Sequence, residues 1–167
     1  SLADLEKAIS LGASDYEALK NLGDIKFTKN DFAVAIKNYN QAITLSQNDP
    51  VLFNNRGKAK MNTNDIPGAL ADFDKAISLK PDYTRAYSNR GVIRFNTAKY
   101  AGAIEDLERA KAEGETVELQ RMLGISKYMM KQPEAAKPLL ENAVKGGVKD
   151  GKTNLYLGYL RYDTKDY

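Results

Sequence analysis

Histidine, cysteine and tryptophan are absent from the 167 residues of this chain. Without an imidazole or a thiol, the sequence lacks the commonest general base, the cysteine nucleophile and the two side chains that most often bind zinc. The 12 glycines form no phosphate-binding loop. The many Asp and Glu residues are expected on solvent faces or at helix caps. We therefore predict no enzyme activity, no metal and no cofactor.

A strong excess of charge and a long apolar run are also missing. Lys and Arg number 25 and Asp and Glu number 22, and no run of basic residues offers the concentrated positive face that nucleic acid requires. The apolar stretches are far shorter than the roughly 20 residues of a membrane-spanning helix. We predict no nucleic-acid binding, no membrane span and a soluble protein. A chain without cysteine fits the cytoplasm and the periplasm equally.

A repeat of about 34 residues organises the chain. The spacings between its five marker glycines, Gly23, Gly57, Gly91, Gly124 and Gly158, are 34, 34, 33 and 34. Alanine recurs twelve and nineteen residues after the first four glycines, and a large residue recurs sixteen residues after them: Tyr39, Phe73, Leu107 and Leu140. Small residues at fixed positions are typical of two helices that approach closely around a large side chain. Each unit is therefore predicted to be a helical hairpin.

This pattern of large residue, glycine, two alanines and proline at fixed spacings resembles the tetratricopeptide repeat family, over about residues 16–150. The resemblance implies an all-α, right-handed α-solenoid of stacked helix-turn-helix hairpins, with about ten helices in one continuous domain. The predicted parts are the second helix of a preceding half repeat (1–14), four repeats (15–48, 49–82, 83–115 and 116–149) and the first helix of a truncated repeat (150–167).

The resemblance also implies that the first helix of each hairpin lines a concave groove. Two residues before the glycine, the series is Asn21, Asn55, Asn89, Met122 and Tyr156. A side-chain amide both donates and accepts hydrogen bonds, so the three asparagines are candidates for holding the main chain of an extended peptide. The alternative is that they bond only to a neighbouring helix or to water.

Aromatic residues accumulate at the other end of the predicted groove. The candidate apolar anchors are Phe95, Tyr128, Tyr159 and Tyr162, because low-entropy aromatic side chains are common at interfaces. Their alternative role is packing between adjacent helices. Lys20 and Arg85 are candidates for contacting acidic groups of the same partner.

A more specific resemblance concerns the carboxylate clamp of tetratricopeptide domains that bind the acidic C-termini of heat-shock chaperones. Lys20, Asn55 and Arg85 match three of its positions, whereas Asp24 and Asn89 replace an asparagine and a basic residue. Because Asp24 would repel a terminal carboxylate, we predict that this clamp is not formed.

Two further series depart from the family pattern. Arg56 and Arg90 replace the leucine expected before the glycine and mark predicted weak points in packing. A basic residue follows every marker glycine by three positions: Lys26, Lys60, Arg94, Lys127 and Arg161. This series is either a basic stripe for an acidic partner or, as we favour, a set of cations placed near helix C-termini with their stems on apolar surface.

The predicted function is a non-enzymatic protein-protein interaction module that binds a peptide or partner segment in the groove. One alternative is a structural scaffold that forms an end-to-end homo-oligomer through exposed side chains at its ends, namely Leu2, Leu5, Ile9, Leu157 and Leu160. Another alternative is a regulatory or docking arm of a larger protein.

Overall fold

The structure is a computed structural model that describes Lys7 and residues 15–163. These residues form nine α-helices, one 3-10 helix and no strand. The all-α prediction is therefore confirmed. The helices are α1 (Tyr16–Thr28), α2 (Phe32–Leu45), α3 (Pro50–Asn62), α4 (Ile66–Leu79), α5 (Thr84–Asn96), α6 (Tyr100–Ala110), α7 (Val117–Met129), α8 (Pro133–Lys145) and α9 (Gly151–Asp163). Apart from Lys7, the predicted half-repeat helix at 1–14 lies outside the described residues.

The chain divides into two compact units, Ser1–Ala86 and Tyr87–Tyr167, and the division falls within α5. In the first unit, α1 pairs with α2 and α3 with α4, α2 packs on α3, and α1 touches α3. In the second unit, α7 pairs with α8, and α9 contacts both of them. Within each unit, the first helices of successive hairpins are thus neighbours. The repeat boundaries themselves stay a prediction.

The marker glycines allow the two helices of a hairpin to touch. A Cβ atom on Gly57 would lie 2.7 Å from Cε1 of Phe73, and one on Gly124 would lie 2.6 Å from Cδ2 of Leu140. Both distances are too short for ordinary packing. Gly158, which lies in the last helix of the described residues, has no atom within 4 Å of the same position. The interpretation of the glycine and the large residue as a contact pair is confirmed for the first four repeats.

The turns between paired helices use the same geometry with different residues. Each has one residue in the left-handed region, with φ of 59° at Asn30, 64° at Asn64, 57° at Ala98 and 58° at Lys131. In the first two turns the next residue is the N-cap aspartate. Asp31 accepts a hydrogen bond from the Val34 N–H and Asp65 accepts one from the Gly68 N–H. In the last two turns, Lys99 and Gln132 occupy the N-cap and form no side-chain cap bond.

Copying the Asn-Asp turn into the third hairpin should stabilise the chain. Asparagine tolerates the left-handed conformation better than alanine, and aspartate caps a helix N-terminus better than lysine. We expect Ala98→Asn with Lys99→Asp to raise the free energy of unfolding by about 1 kcal/mol in urea denaturation. The reverse change, Asn64→Ala with Asp65→Lys, should lower it. An unchanged or lower stability for the first variant would contradict this account of the turn.

Two buried carboxylates each bind two basic side chains. Asp106 is 1% exposed, and its oxygens lie 2.6 and 2.9 Å from Nη2 and Nε of Arg90. Nη1 of Arg94 lies 2.9 Å from the same carboxylate. In the preceding hairpin, Asp72 binds Arg56 at 2.6 Å and Lys60 at 2.9 Å in the same way.

These ion pairs correct the expectation that the acidic residues lie on solvent faces or at caps, because Asp72 and Asp106 are buried. Arg56 and Arg90 were expected to mark weak points, but they form bidentate hydrogen bonds. Lys60 and Arg94 do lie in the last turn of their helices, as predicted. Their charge, however, compensates a buried carboxylate, which neither interpretation anticipated.

The ends of the chain also differ from expectation. Leu157 and Leu160 were predicted to be exposed, but both are buried in the core of the second unit, where α9 packs on α7 and α8. Leu2, Leu5 and Ile9 lie outside the described residues. End-to-end assembly stays a prediction, and Leu157 and Leu160 do not support it.

Candidate functional site

An open pocket lies between α1 and α3 in the first unit. Its volume is about 270 Å³, and it is lined by Asp24, Phe27, Thr28, Tyr39, Asn55 and Lys58. We call it the Asp24 pocket. It combines one carboxylate, one ammonium group, an amide, two hydroxyls and a phenyl ring, so it can offer hydrogen bonds of both directions beside an apolar wall.

The carboxylate of Asp24 is held by two donors on one oxygen. The Tyr39 hydroxyl donates to Oδ1 at 2.7 Å, and Nδ2 of Asn55 donates to the same atom at 3.0 Å. Burial, and after it the hydrogen bond to Asp24, raises the pKa of the Tyr39 phenol well above its ordinary value. The phenol therefore remains a donor at neutral pH, and the carboxylate keeps one orientation.

Asn55 connects this carboxylate to α3. Its amide nitrogen bonds to Asp24, while its Oδ1 accepts a hydrogen bond of 3.1 Å from Nδ2 of the buried Asn54. A primary amide has two N–H groups and two lone pairs. Asn55 therefore keeps one donor and one acceptor position for another molecule.

On the other wall of the pocket, the Lys58 ammonium lies 4.8 Å from the centre of the Phe27 ring, a cation–π contact. The Phe27 ring meets Phe32 edge to face with centroids 5.3 Å apart. Within the described part of the chain, no ion pair of 4.0 Å or less joins Lys58 to Asp24. Opposite charges thus stand apart in the same pocket.

The remaining candidates of the first unit are spread along α1 and α5. Asn21 is exposed, and Lys20 is half-buried with its ammonium 4.0 Å from Glu17. Arg85 is exposed at the start of α5. The carboxylate clamp would need the Asn55 amide to bind a terminal carboxylate. In this structure the amide donates to Asp24 instead, and the negative charge of Asp24 would repel that carboxylate. This contact supports the prediction that the clamp is not formed.

Tyrosines occupy the corresponding place in the second unit. The Tyr128 ring lies 5.4 Å from the Tyr156 ring and 6.5 Å from the Tyr159 ring, to which it is nearly parallel at 17°. Tyr159 is 48% exposed and Tyr162, on the same helix, is 71% exposed. These rings therefore pack between α7 and α9 and also leave aromatic surface open to a partner.

Two of these phenols have raised pKa values. Burial, followed by the charge of Asp163 and a hydrogen bond of 3.3 Å to it, raises the pKa of Tyr128. Burial, followed by the neighbouring phenols Tyr100 and Tyr159, raises the pKa of Tyr156. Both hydroxyls stay protonated at neutral pH: that of Tyr128 donates to Asp163, and that of Tyr156 can donate to a partner.

Two predicted groove residues are buried. Phe95 and Met122 are 7% and 6% exposed and lie in the core cluster of the second unit, together with Ile125. The Arg121 guanidinium covers the Phe95 ring at 5.5 Å. Neither side chain is accessible to a peptide, so we exclude both from the binding surface. Asn89 is half-buried in α5.

One register explains all these placements. The residue four positions after one glycine meets the residues two before and one after the next glycine. Three groups follow this rule: Phe27 with Asn55 and Lys58, Phe95 with Met122 and Ile125, and Tyr128 with Tyr156 and Tyr159. The column two residues before the glycine and the aromatic anchors were predicted as separate candidates for contacting a ligand. Within each group the side chains lie together, in one pocket, one core cluster or one set of packed rings, and their size and polarity decide whether a pocket remains.

The hydroxyl of Tyr39 was missed by sequence reasoning, which treated this position as packing only. The equivalent residue of the next repeat is Phe73, which has no hydroxyl. The exchange of phenylalanine for tyrosine accompanies the exchange of Lys58 for Asp24 one position after the glycine. These two differences together indicate a polar contact between Tyr39 and Asp24, and they could have been identified from the sequence.

Neither a membrane-spanning helix nor a metal site is present in the described residues. No helix of residues 15–163 is long and apolar enough to cross a membrane. Among the same residues, no group of three or more Asp and Glu side chains is arranged to hold a metal ion.

The described residues define a helical-repeat protein with open polar and aromatic surfaces on neighbouring first helices. A family model described as TPR repeat matches residues 23–64, and one described as tetratricopeptide repeat matches residues 54–117. The chain belongs to the tetratricopeptide repeat family. Proteins of this family are typically non-catalytic interaction modules, and this chain is a protein-interaction module in that general sense.

Solved structures of repeat proteins resemble the chain. MamA from Desulfovibrio magneticus RS-1 has a TM-score of 0.78 at 21% identity, covering 90% of this chain and 86% of that one. YrrB, described as a TPR protein with an unusual peptide-binding site, has a TM-score of 0.66 at 27% identity, covering 75% and 66%. The first TPR domain of Spaghetti (RPAP3), bound to the HSP90 peptide SRMEEVD, has a TM-score of 0.65 at 29% identity, covering 70% and 93%. No curated protein matches the chain in sequence.

Proposed function

We propose that this chain binds an extended peptide or partner segment on the first-helix faces of its hairpins. The observation that carries the proposal is the Asp24–Asn55 hydrogen bond at an open pocket, because it sets polar groups of two successive first helices side by side. Peptide binding by YrrB and by the RPAP3 domain supports the proposal, since both share this repeat fold.

In the first unit, the partner's main chain would be held by side-chain amides. Asn55 retains one N–H and one oxygen lone pair after its bonds to Asp24 and Asn54. Asn21 is exposed on α1. Lys20 and Arg85 supply positive charge to acidic side chains of the partner. Contacts of this kind hold a main chain without reading its sequence.

In the second unit, the partner would meet an aromatic surface. Tyr128, Tyr156, Tyr159 and Tyr162 supply apolar faces and hydroxyl groups, a combination that interfaces favour. Asn89, half-buried on α5, is a further candidate for this surface. A partner with a polar part and an aromatic or aliphatic part would match the two units.

The proposal predicts a loss of affinity when the asparagines are removed. Peptides are first selected from a random phage-displayed library on the intact chain, and their affinities are measured by isothermal titration calorimetry. For Asn21→Ala with Asn55→Ala we expect Kd to rise about tenfold, since two hydrogen bonds of ordinary strength are lost.

The matched control is Asn142→Ala, which removes an exposed asparagine from α8 and should leave Kd unchanged. Equal affinity of the double variant and the native chain would remove the asparagines from the mechanism. Failure to select any binding peptide would contradict peptide binding itself.

A further inference from the structure

The Asp24 pocket holds one negative and one positive group that do not neutralise each other directly. Oδ1 of Asp24 accepts from Tyr39 and Asn55, while its Oδ2 accepts no hydrogen bond from the described residues. The Lys58 ammonium rests on the Phe27 ring, and no carboxylate of the described residues lies within 4.0 Å of it. The pocket thus has a fixed acceptor and a cationic donor facing the same space of about 270 Å³.

The two opposite charges disfavour a charged occupant of either sign relative to an uncharged one. An ammonium or guanidinium group that reached Asp24 would share the pocket with Lys58, and a carboxylate that reached Lys58 would share it with Asp24. Like charges at such range disfavour binding. The other lining hydroxyl, that of Thr28, donates to the Ile25 carbonyl at 2.8 Å and adds no charge. An uncharged group with both a donor and an acceptor is the complementary ligand.

We propose that the Asp24 pocket is a binding site for a primary amide, the side chain of a glutamine or asparagine in an extended partner segment. The amide nitrogen donates to Oδ2 of Asp24, the amide oxygen accepts from Lys58, and the aliphatic stem lies on the Phe27 ring. The inference rests on the proposed function, because the asparagine column holds the main chain from which this side chain projects.

The pocket is prepared for this role before a partner arrives. Two donors on Oδ1 fix the plane of the carboxylate, so Oδ2 need not be reoriented on binding. The buried Tyr39 hydroxyl is one of these donors and stays protonated at neutral pH. Pre-arranged polar groups reduce the ordering cost of association and favour a ligand of matching geometry.

The test uses four pentapeptides, Ac-Ala-Ala-X-Ala-Ala-NHCH3 with X as Gln, Met, Glu or Lys, titrated into the isotopically labelled chain; the N-methyl cap leaves the Gln side chain as the only primary amide in the series. Binding is followed by NMR at the Asn55 side-chain amide and at the backbone amides of Asp24 and Lys58. We expect the Gln peptide to bind at least about threefold more tightly than the other three, since only it satisfies both polar groups.

Single charge removals should change the preference in opposite directions. Asp24→Asn keeps an acceptor for Tyr39 and Asn55 but removes the negative charge, so the Glu peptide should become the tightest. Lys58→Met keeps an apolar side chain beside Phe27 but removes the positive charge, so the Lys peptide should become the tightest. Lys58→Arg is the conservative control and should keep the preference for Gln. Thermal unfolding of each variant confirms that it is folded.

A preference of the native chain for Lys or Glu, or equal affinity for all four peptides, would overturn the amide site. If all four peptides bind with equal affinity and clearly shift the Asn55 signals, the amide site is overturned but the proposed main-chain binding is supported. An absence of shifts at Asn55 with every peptide would also overturn the amide site, and the library selection then decides independently whether the chain binds peptides.

Discussion

Replacing Asp106 by alanine should lower the free energy of unfolding by about 3–5 kcal/mol, measured by urea denaturation. The carboxylate is 1% exposed and binds both Arg90 and Arg94, so its removal leaves two cations facing a buried space. Glu105→Ala on the same helix is the matched control. Glu105 is exposed, and its replacement should change stability by less than about 0.5 kcal/mol.

A double variant tests whether stability requires the charges of Arg90 and Asp106 or only two side chains that pack against each other. The fourth repeat has leucine at both equivalent positions, Leu123 and Leu139. Arg90→Leu with Asp106→Leu should therefore recover most of the stability that Asp106→Ala loses, because a well-packed apolar pair can replace a buried ion pair. Arg94 also donates to the Gly102 carbonyl at 3.2 Å and can turn toward solvent. A double variant as unstable as the single one would contradict this account.

Replacing Gly57 by alanine should destabilise the chain by about 1–3 kcal/mol. The new Cβ would lie 2.7 Å from Cε1 of Phe73, a fully buried ring that has no free space to retreat. The second hairpin would therefore open or its helices would shift apart. Urea denaturation with thermal unfolding measures the change.

The control for this prediction lies in the chain itself. Gly158 stands at the same position of the repeat, but no atom lies within 4 Å of its missing Cβ. Gly158→Ala should stabilise α9 by about 0.5–1 kcal/mol, because alanine is the better helix former. The two substitutions are thus expected to have opposite signs. A similar effect at both positions would contradict the close contact with the second helix as the reason why glycine recurs at this position of the repeat.

The hairpins could be predicted from the sequence because their packing is local. Gly57 and Phe73 are sixteen residues apart, and every such contact recurs with the repeat. A periodic pattern therefore reports both the helices and their pairing. Asn30-Asp31 and Asn64-Asp65 carry the residues that favour this turn and its N-cap, whereas Ala98-Lys99 adopts the same turn without them.

The ion pairs were not predicted, because each column of the repeat was interpreted alone. Two columns read together contain the signal. Leucine before the glycine accompanies Asn38 or Leu139 fifteen residues after it, whereas arginine at that position accompanies Asp72 or Asp106. A buried charge needs its partner in the same core. Arginine and aspartate therefore occur together at these two positions of the repeat, or neither occurs.

The candidate site was predicted in part. The positions of Asn55 and Tyr159 were predicted to face the groove, but exposure depends on how large the three converging side chains are. Phe95 with Met122 and Ile125 is buried in a core cluster, whereas Phe27 with Asn55 and Lys58 lines a pocket. The spacing of residues along one helix does not predict whether a side chain is exposed, because side chains from two repeats together determine its exposure.

In the proposed binding mode, a partner segment binds on the first-helix face of the first unit, at Asp24, Asn55 and Lys58. An NMR titration of the labelled chain with a library-selected peptide tests this mode, because it maps the backbone and side-chain amides that shift. We expect the largest shifts in the first unit to fall on these three residues of α1 and α3. Shifts confined to α2 and α4, with Asn55 and Lys58 unchanged, would contradict it.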